Sequence, residues 1–180
     1  MDRVTGDGDL GVSMRRAAEA ILASVDQFPL DNIPATLNQL GHTSQRVMGG
    51  SSGPLYGVFF LRSSNILESA NNTSLESWAE ALHQSCLAIS ELGGAKVGDR
   101  TMLDALVPFA ESLKSAGKTP PRQALASAIE AAERGADATA QMKPRLGRSS
   151  YLGDRVLGHP DPGAKAAAIW LRAACEALFF

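Results

Sequence analysis

Cysteine is scarce in this 180-residue chain: only Cys86 and Cys175 occur. Both sit in apolar helical patterns, which fits buried free thiols in a reducing compartment and excludes a disulfide framework. Uninterrupted apolar runs are missing too. None approaches the roughly 18 residues of a membrane-spanning helix, and Met1 to Asp9 holds three aspartates and two glycines instead of the apolar stretch of a secretion signal. A cytoplasmic location is therefore expected, and the Asn-x-Ser/Thr tripeptides at Asn71 and Asn72 read as a loop and helix cap, not as glycosylation sites. Charge excess is absent as well. A net charge of -2 argues against broad attraction to nucleic acid or anionic membrane, so any phosphate must be bound locally. No segment alternates strictly with β-branched enrichment, and no repeat or linker appears, which excludes a sheet as the organising element and a second domain.

What remains is an ordinary globular composition, 44% hydrophobic and 20% charged, long enough to bury one core as a single domain over residues 1–180. Apolar residues at three- and four-residue spacing predict helices over Val12 to Val25, about 33–47, from Pro54 through Leu67, and Thr73 to Leu92. Three more follow over about 101–115, from Thr119-Pro120 through Ala132, and from Asp161 to the C-terminus. Asp31 or Asn32 is expected to cap the second, Thr73 with Glu76 the fourth, and Thr119 the sixth; Gly41 should weaken the second and Pro108 kink the fifth. The fold class is all-α, a bundle of antiparallel helices.

Four loops carry candidate chemistry. In Asp2-Arg3-Val4-Thr5-Gly6-Asp7-Gly8-Asp9-Leu10-Gly11, three carboxylates crowd together just before the first helix. That is costly unless a cation neutralises them, and hard oxygen donors suit Mg²⁺ or Ca²⁺. The alternative is a solvated acidic turn with Asp9 as an ordinary helix cap. Gly50-Ser51-Ser52-Gly53-Pro54 puts two hydroxyls at a helix N-terminus, where backbone donors and the dipole attract anions; a simple turn would look the same. Gly93 to Met102 is a glycine-rich loop feeding a helix but lacks the spacing of a P-loop. Lys143 to His159 has no sustained period and three arginines; Arg148 has the fork that suits phosphate, or it is a solvated loop residue. Helices of a bundle bring alternate loops to one end, so metal-seeking and anion-seeking loops can meet there, the arrangement phosphoryl transfer needs.

These motifs resemble the L subunit of dihydroxyacetone kinase, the DhaL or Dak2 domain. Its acidic motif, Asp-x4-Asp-x-Asp-His-Gly, aligns with Asp2, Asp7, Asp9 and Gly11, and its Gly-Gly-Ala-Ser-Gly-Pro-Leu motif with Gly49 to Leu55. Val97 to Asp104 is similar to Pro-Gly-Asp-Lys-Thr-Met-Leu-Asp. Gly147 to Gly163 is similar to the family's Gly-Arg-Ala-Ser-Tyr-Leu-Gly-Glu-Arg-x2-Gly-His-x-Asp-Pro-Gly. The resemblance implies an up-and-down antiparallel α-helical barrel in which Asp2, Asp7 and Asp9 bind two Mg²⁺ ions bridging the phosphates of ADP or ATP. It further implies that Ser51 and Ser52 hold phosphate and that Gly11, Val12 and Ser13 face it. Gly93 and Met102 would line the adenine side, and Arg148 with Asp161, Pro162 and Gly163 would complete the nucleotide site. The triose would be held by a separate K subunit, DhaK-like, through a histidine absent from this chain, and the phosphoryl group would come from ATP or from a phosphotransferase-system protein.

Two departures from the family pattern matter. Leu10 stands where the family has histidine. The chain also begins one residue before the first ligand, so the barrel is expected to lack its usual first helix, leaving an apolar groove for a partner or a second copy as a homodimer, and to bind metal more weakly than a longer relative. These departures support an alternative reading as a non-catalytic nucleotide- or metal-binding regulatory module. A third reading, a kinase for a related ketose or polyol, is not separable from the first because the L chain does not choose the acceptor.

Overall fold

The structure is a computed structural model that describes residues 8–146 and 148–179, without the side chains at 148, 149, 178 and 179. Among the described residues all regular structure is helical, as the missing strand pattern requires. Seven α-helices follow in chain order: α1 (Leu10–Ala23), α2 (Ile33–Val47), α3 (Ser52–Ala70), α4 (Leu75–Gly93), α5 (Leu103–Lys114), α6 (Pro121–Ala138) and α7 (Pro162–Phe179). Short 3-10 segments cover Val25–Gln27, Thr139–Gln141 and Arg148–Val156. No described helix is long and apolar enough to cross a membrane. The described residues form two compact units, Asp9–Gly94 and, with Gly8, the part from Ala95 onward.

In the N-terminal unit each helix packs on its neighbour in sequence, α1 on α2, α2 on α3 and α3 on α4, as short connections between antiparallel helices dictate. Leu37, Leu67 and Ala81 form a buried cluster covered by Leu40, Phe60, Ile66 and Trp78. Gly41 does not interrupt α2. A Cβ there would come within 2.7 Å of the Leu61 side chain and 3.1 Å of the Gly57 carbonyl, so the glycine lets α2 and α3 approach closely, and this packing outweighs its low helix propensity. Two buried serines, one on α3 and one on α4, are paired. Ser85 Oγ donates to the Ala81 carbonyl, so its 2.8 Å contact with Ser63 Oγ is a bond that Ser63 donates.

In the C-terminal unit α5, α6 and α7 pack against one another. Ala124, Ala128, Ala132 and Ala136 recur every fourth residue of α6 and are all buried, a narrow face that permits close helix contact. At the crossing with α5, Pro108 has no amide hydrogen to give the Asp104 carbonyl. Gly135 meets that carbonyl, and a Cβ at Gly135 would collide with it. The proline and the glycine thus explain each other: the helix ladder opens where the neighbouring backbone comes nearest.

Helix starts follow the expected chemistry with two shifts. Asn32 caps α2, accepting from the Ala35 amide at 3.0 Å. The cap of α4 is Ser74, not Thr73; Ser74 Oγ accepts from the Ser77 amide, while the Asn72 side chain accepts from Ser74 N and holds the entry turn. α6 begins at Pro121 with Pro120 in the cap position and no side-chain cap, so Thr119 lies outside the helix. Two successive prolines with fixed φ start it instead. Both cysteines are free and buried.

Candidate functional site

In the N-terminal unit the expected residues gather at helix ends. Just before this unit Gly8, with φ 77°, takes the left-handed region that glycine tolerates, and α1 starts two residues later. Asp9 occupies the cap position, and its carbonyl accepts from Ser13 N at 2.9 Å, but its exposed side chain makes no capping bond to the helix. The reading of Asp9 as an ordinary cap is thereby corrected. Asp2 and Asp7 lie outside the described residues. Gly11 and Val12 are exposed on the first turn, and a Cβ at Gly11 would meet nothing within 4 Å among the described residues.

Ser13 is buried. Its Oγ lies 3.7 Å from where a Gly49 Cβ would stand, which brings the start of α1 to the Gly49-Gly50 turn. Gly50 takes φ 60°, and a Cβ at Gly53 would be 2.8 Å from the Met48 carbonyl, so the glycines are needed to fold the chain back into α3. Ser51 holds the cap position of α3 without a side-chain cap bond, and Ser52 is the first helical residue. Gly93, the last residue of α4, faces the first turn of α3: its Cβ position is 3.7 Å from the Leu55 side chain. Two helix N-termini whose cap residues make no side-chain cap bond therefore stand together, each with the positive end of a helix dipole.

The C-terminal unit is built differently. Met102 is buried at the cap position of α5, and its amide is 3.7 Å from the Cβ position of Gly163, so residues 61 positions apart in sequence meet. Asp161 is buried and caps α7, accepting from Ala164 N at 2.9 Å, while its own amide donates to Thr139 Oγ1 at 2.7 Å. Pro162 opens the helix. Gly147 and the side chain of Arg148 lie outside the described residues, although the backbone at Arg148 starts a 3-10 segment that breaks at Gly153 (φ 56°, ψ -136°). The loop at 143–159 is thus less irregular than its sequence suggests.

Three acidic residues and one arginine hold this unit's loops, and the sequence motifs alone assigned none of them that role except Asp161. Asp104 accepts from Gly98 N at 2.6 Å and from Thr101 N at 2.7 Å, closing the glycine-rich loop onto α5. Asp99 accepts from Lys96 N and pairs with exposed Arg145 at 3.7 Å. Arg100 is fully buried and left-handed at φ 64°, which costs a side-chain-bearing residue about 1–2 kcal/mol. Its Nη2 donates to the His159 carbonyl at 2.8 Å, and its Nη1 lies 3.8 Å from Asp161 Oδ1. Asp104 was legible as the start of a helix whose first turn favours an acid; a buried arginine with positive φ has no local sequence signal.

Electrostatics at Asp161 are set by desolvation. Burial pushes its carboxyl up to about 6, against the lowering effects of the Ala164 amide and Arg100 and with help from Asp104. Burial likewise lowers Arg100 more than Asp161 raises it. A tight ion pair would shift both groups the other way, so at 3.8 Å the attraction does not offset the lost hydration.

No group of three or more histidine, cysteine, aspartate or glutamate side chains stands together among the described residues. Of the three expected metal ligands only Asp9 is described. It is a hard oxygen donor at a helix start and is not used as a cap, which suits Mg²⁺.

Comparison with known proteins gives a consistent result. The family model described as the DAK2 domain matches residues 4–176. The triokinase/FMN cyclase of Rattus norvegicus is 41% identical over 182 residues, 99% of this chain and 31% of that protein. The ADP-binding subunit DhaL of the PEP-dependent dihydroxyacetone kinase of Escherichia coli is 33% identical over 174 residues, covering 96% of this chain and 83% of that subunit. The structure of the dihydroxyacetone kinase from C. freundii in complex with AMP-PNP and Mg²⁺ superposes with a TM-score of 0.76 at 34% identity, over 98% of this chain and 29% of that one. The chain thus spans less than a third of the large kinases it matches and most of the bacterial subunit.

Proposed function

Because the chain belongs to the DAK2 domain family, we propose that it acts as one nucleotide-binding domain, the phosphoryl-transferring part of a dihydroxyacetone-type kinase. The observation that carries this reading is the pair of helix N-termini, α1 and α3, whose cap positions at Asp9 and Ser51 make no side-chain bond to the helix and whose turns meet at Ser13 and Gly49. A helix start that its own cap side chain leaves open is where an anionic ligand can add acceptors. The amides of Gly11 and Val12 and the hydroxyls of Ser13, Ser51 and Ser52 face the phosphates; the Ser13 amide is already given to the Asp9 carbonyl. No described residue comes within 4 Å of a Cβ placed at Gly11, which suits the close approach of a phosphate to the backbone.

Asp2, Asp7 and Asp9 hold two Mg²⁺ ions, which when bound neutralise phosphate charge and position the transferred group. Gly93, Met102, Arg148, Asp161, Pro162 and Gly163 are the further nucleotide contacts in this reading. The buried, hydrogen-bonded turn at Asp161 suits rigid positioning, since every polar group that fixes it is already inside the protein. The phosphoryl acceptor is a triose or related ketose held by a DhaK-like domain or subunit, and the donor is ATP or a phosphotransferase-system protein that recharges bound ADP. The protein's share of catalysis is orientation and electrostatic stabilisation, because phosphoryl transfer asks for little covalent help.

Calorimetric titration with ADP, with and without Mg²⁺, tests the proposal. Binding that requires the metal is expected. Failure to bind ADP in its presence would leave a DAK2-type fold without the nucleotide function and favour the non-catalytic module.

A further inference from the structure

Arg100 has no part in the reading above, yet it heads the fully buried large side chains of the molecule. Burying a guanidinium is costly unless its surroundings repay it. All its recorded partners belong to one stretch, 56 to 61 residues further on: Nη2 donates to the His159 carbonyl at 2.8 Å and reaches the Val156 carbonyl at 3.5 Å, and Nη1 faces Asp161 Oδ1 at 3.8 Å. Nε and Nη1 make no hydrogen bond. The backbone at Arg100 is held left-handed to aim the side chain there, two residues before Met102. One arginine therefore joins the loop that leads into α5 to the turn that leads into α7.

We propose that Arg100 is a positioning residue for the nucleotide: shut away from solvent, it cannot touch a ligand, but it sets the placement of the Asp161–Gly163 turn relative to Met102 and thereby the affinity for nucleotide. The inference rests on the proposed nucleotide-binding function. It differs from a purely structural role in what it demands of variants. Loss of the charge must weaken binding more than an equal loss of stability elsewhere, and a lysine, whose ammonium can donate to the two carbonyls, must restore it.

The test compares the full chain with Arg100→Met, Arg100→Lys and Ile129→Ala, the last opening a cavity in the core of α6 as a destabilised control. ADP affinity in Mg²⁺ is measured by calorimetry and the melting temperature by scanning. Arg100→Met is expected to lose about tenfold or more in affinity, Arg100→Lys to stay within about threefold of the parent, and Ile129→Ala to bind normally despite a lower melting temperature. Unchanged affinity in Arg100→Met, or an equal loss in Ile129→Ala, overturns the inference while leaving the nucleotide function standing. If Arg100→Met does not fold, Arg100→Gln, which keeps an amide NH2 group without the charge, takes its place with the same expectation and the same overturning result. A parent protein that does not bind ADP at all removes both the functional reading and this inference.

Discussion

The two units hold their loops by opposite means. In Asp9–Gly94, the starts of α1 and α3 have no side-chain caps and the first turn of α1 is exposed, with glycines at 11, 49 and 50 along the approach. From Ala95 onward the loops are tied from within: Asp99, Asp104 and Asp161 each accept backbone amides while buried, and Arg100 spans two of the loops. A site for a phosphate chain gains from amides left unpaired, since the ligand supplies the missing acceptor. A site for the uncharged part of a nucleotide has no such acceptor to offer, so its loops must be finished before the ligand arrives.

The comparison breaks most decisively at Asp9. Asp9→Ala is expected to weaken Mg²⁺-dependent ADP binding by about a hundredfold or more without the loss of a helix-cap bond from α1. A large fall in melting temperature with normal ADP titration would return Asp9 to a structural role. Next come two glycines that contrast space with contact. Gly135→Ala drives a methyl into the Asp104 carbonyl and is expected to cost about 2–4 kcal/mol in denaturant unfolding. Gly11→Ala meets nothing among the described residues, so its stability should hold or rise slightly in the helix while ADP affinity falls; calorimetry and unfolding on the same samples check both.

A smaller effect is expected from pH. Asp161 ionises near 6 when folded against an ordinary 3.8, so the folded state holds an extra proton between those values. Stability from this group is complete below about pH 4 and is lost as pH rises through 6, by at most about 3 kcal/mol. Asp161→Asn keeps a capping side chain and should remove that decline, so the difference in unfolding free energy between parent and variant should change between pH 4 and 6 and be flat above 7. No pH dependence in the difference would mean that the carboxylate is better hydrated or better paired than its burial implies. The smallest effect separates two neighbours: Ser74→Ala should cost about 1 kcal/mol and Thr73→Ala almost nothing, as read from thermal unfolding.

Much of this organisation was legible in the residues. Periodicity marked every described α-helix, and the Gly-Ser turn, the Asp-Pro-Gly start of α7 and the acidic approach to α1 were visible as motifs because each is a local demand on backbone conformation or charge. The shifts of one or two residues at Ser74 and Pro121 came from competing caps and consecutive prolines, which local patterns rank poorly. Gly41 and Pro108 looked like defects. Their meaning lay on other helices, in Leu61 and Gly57 for the first and Gly135 for the second.

Sequence by itself determined the helices and the class of fold, since these depend on spacing within a few residues. Only the tertiary structure decided that Asp9 is not used as a cap, that Met102 stands beside Gly163, and that a buried arginine at position 100 grips a turn some sixty residues away. Burial and desolvation are properties of the packed surroundings, and no local pattern encodes which distant carbonyls a side chain will meet.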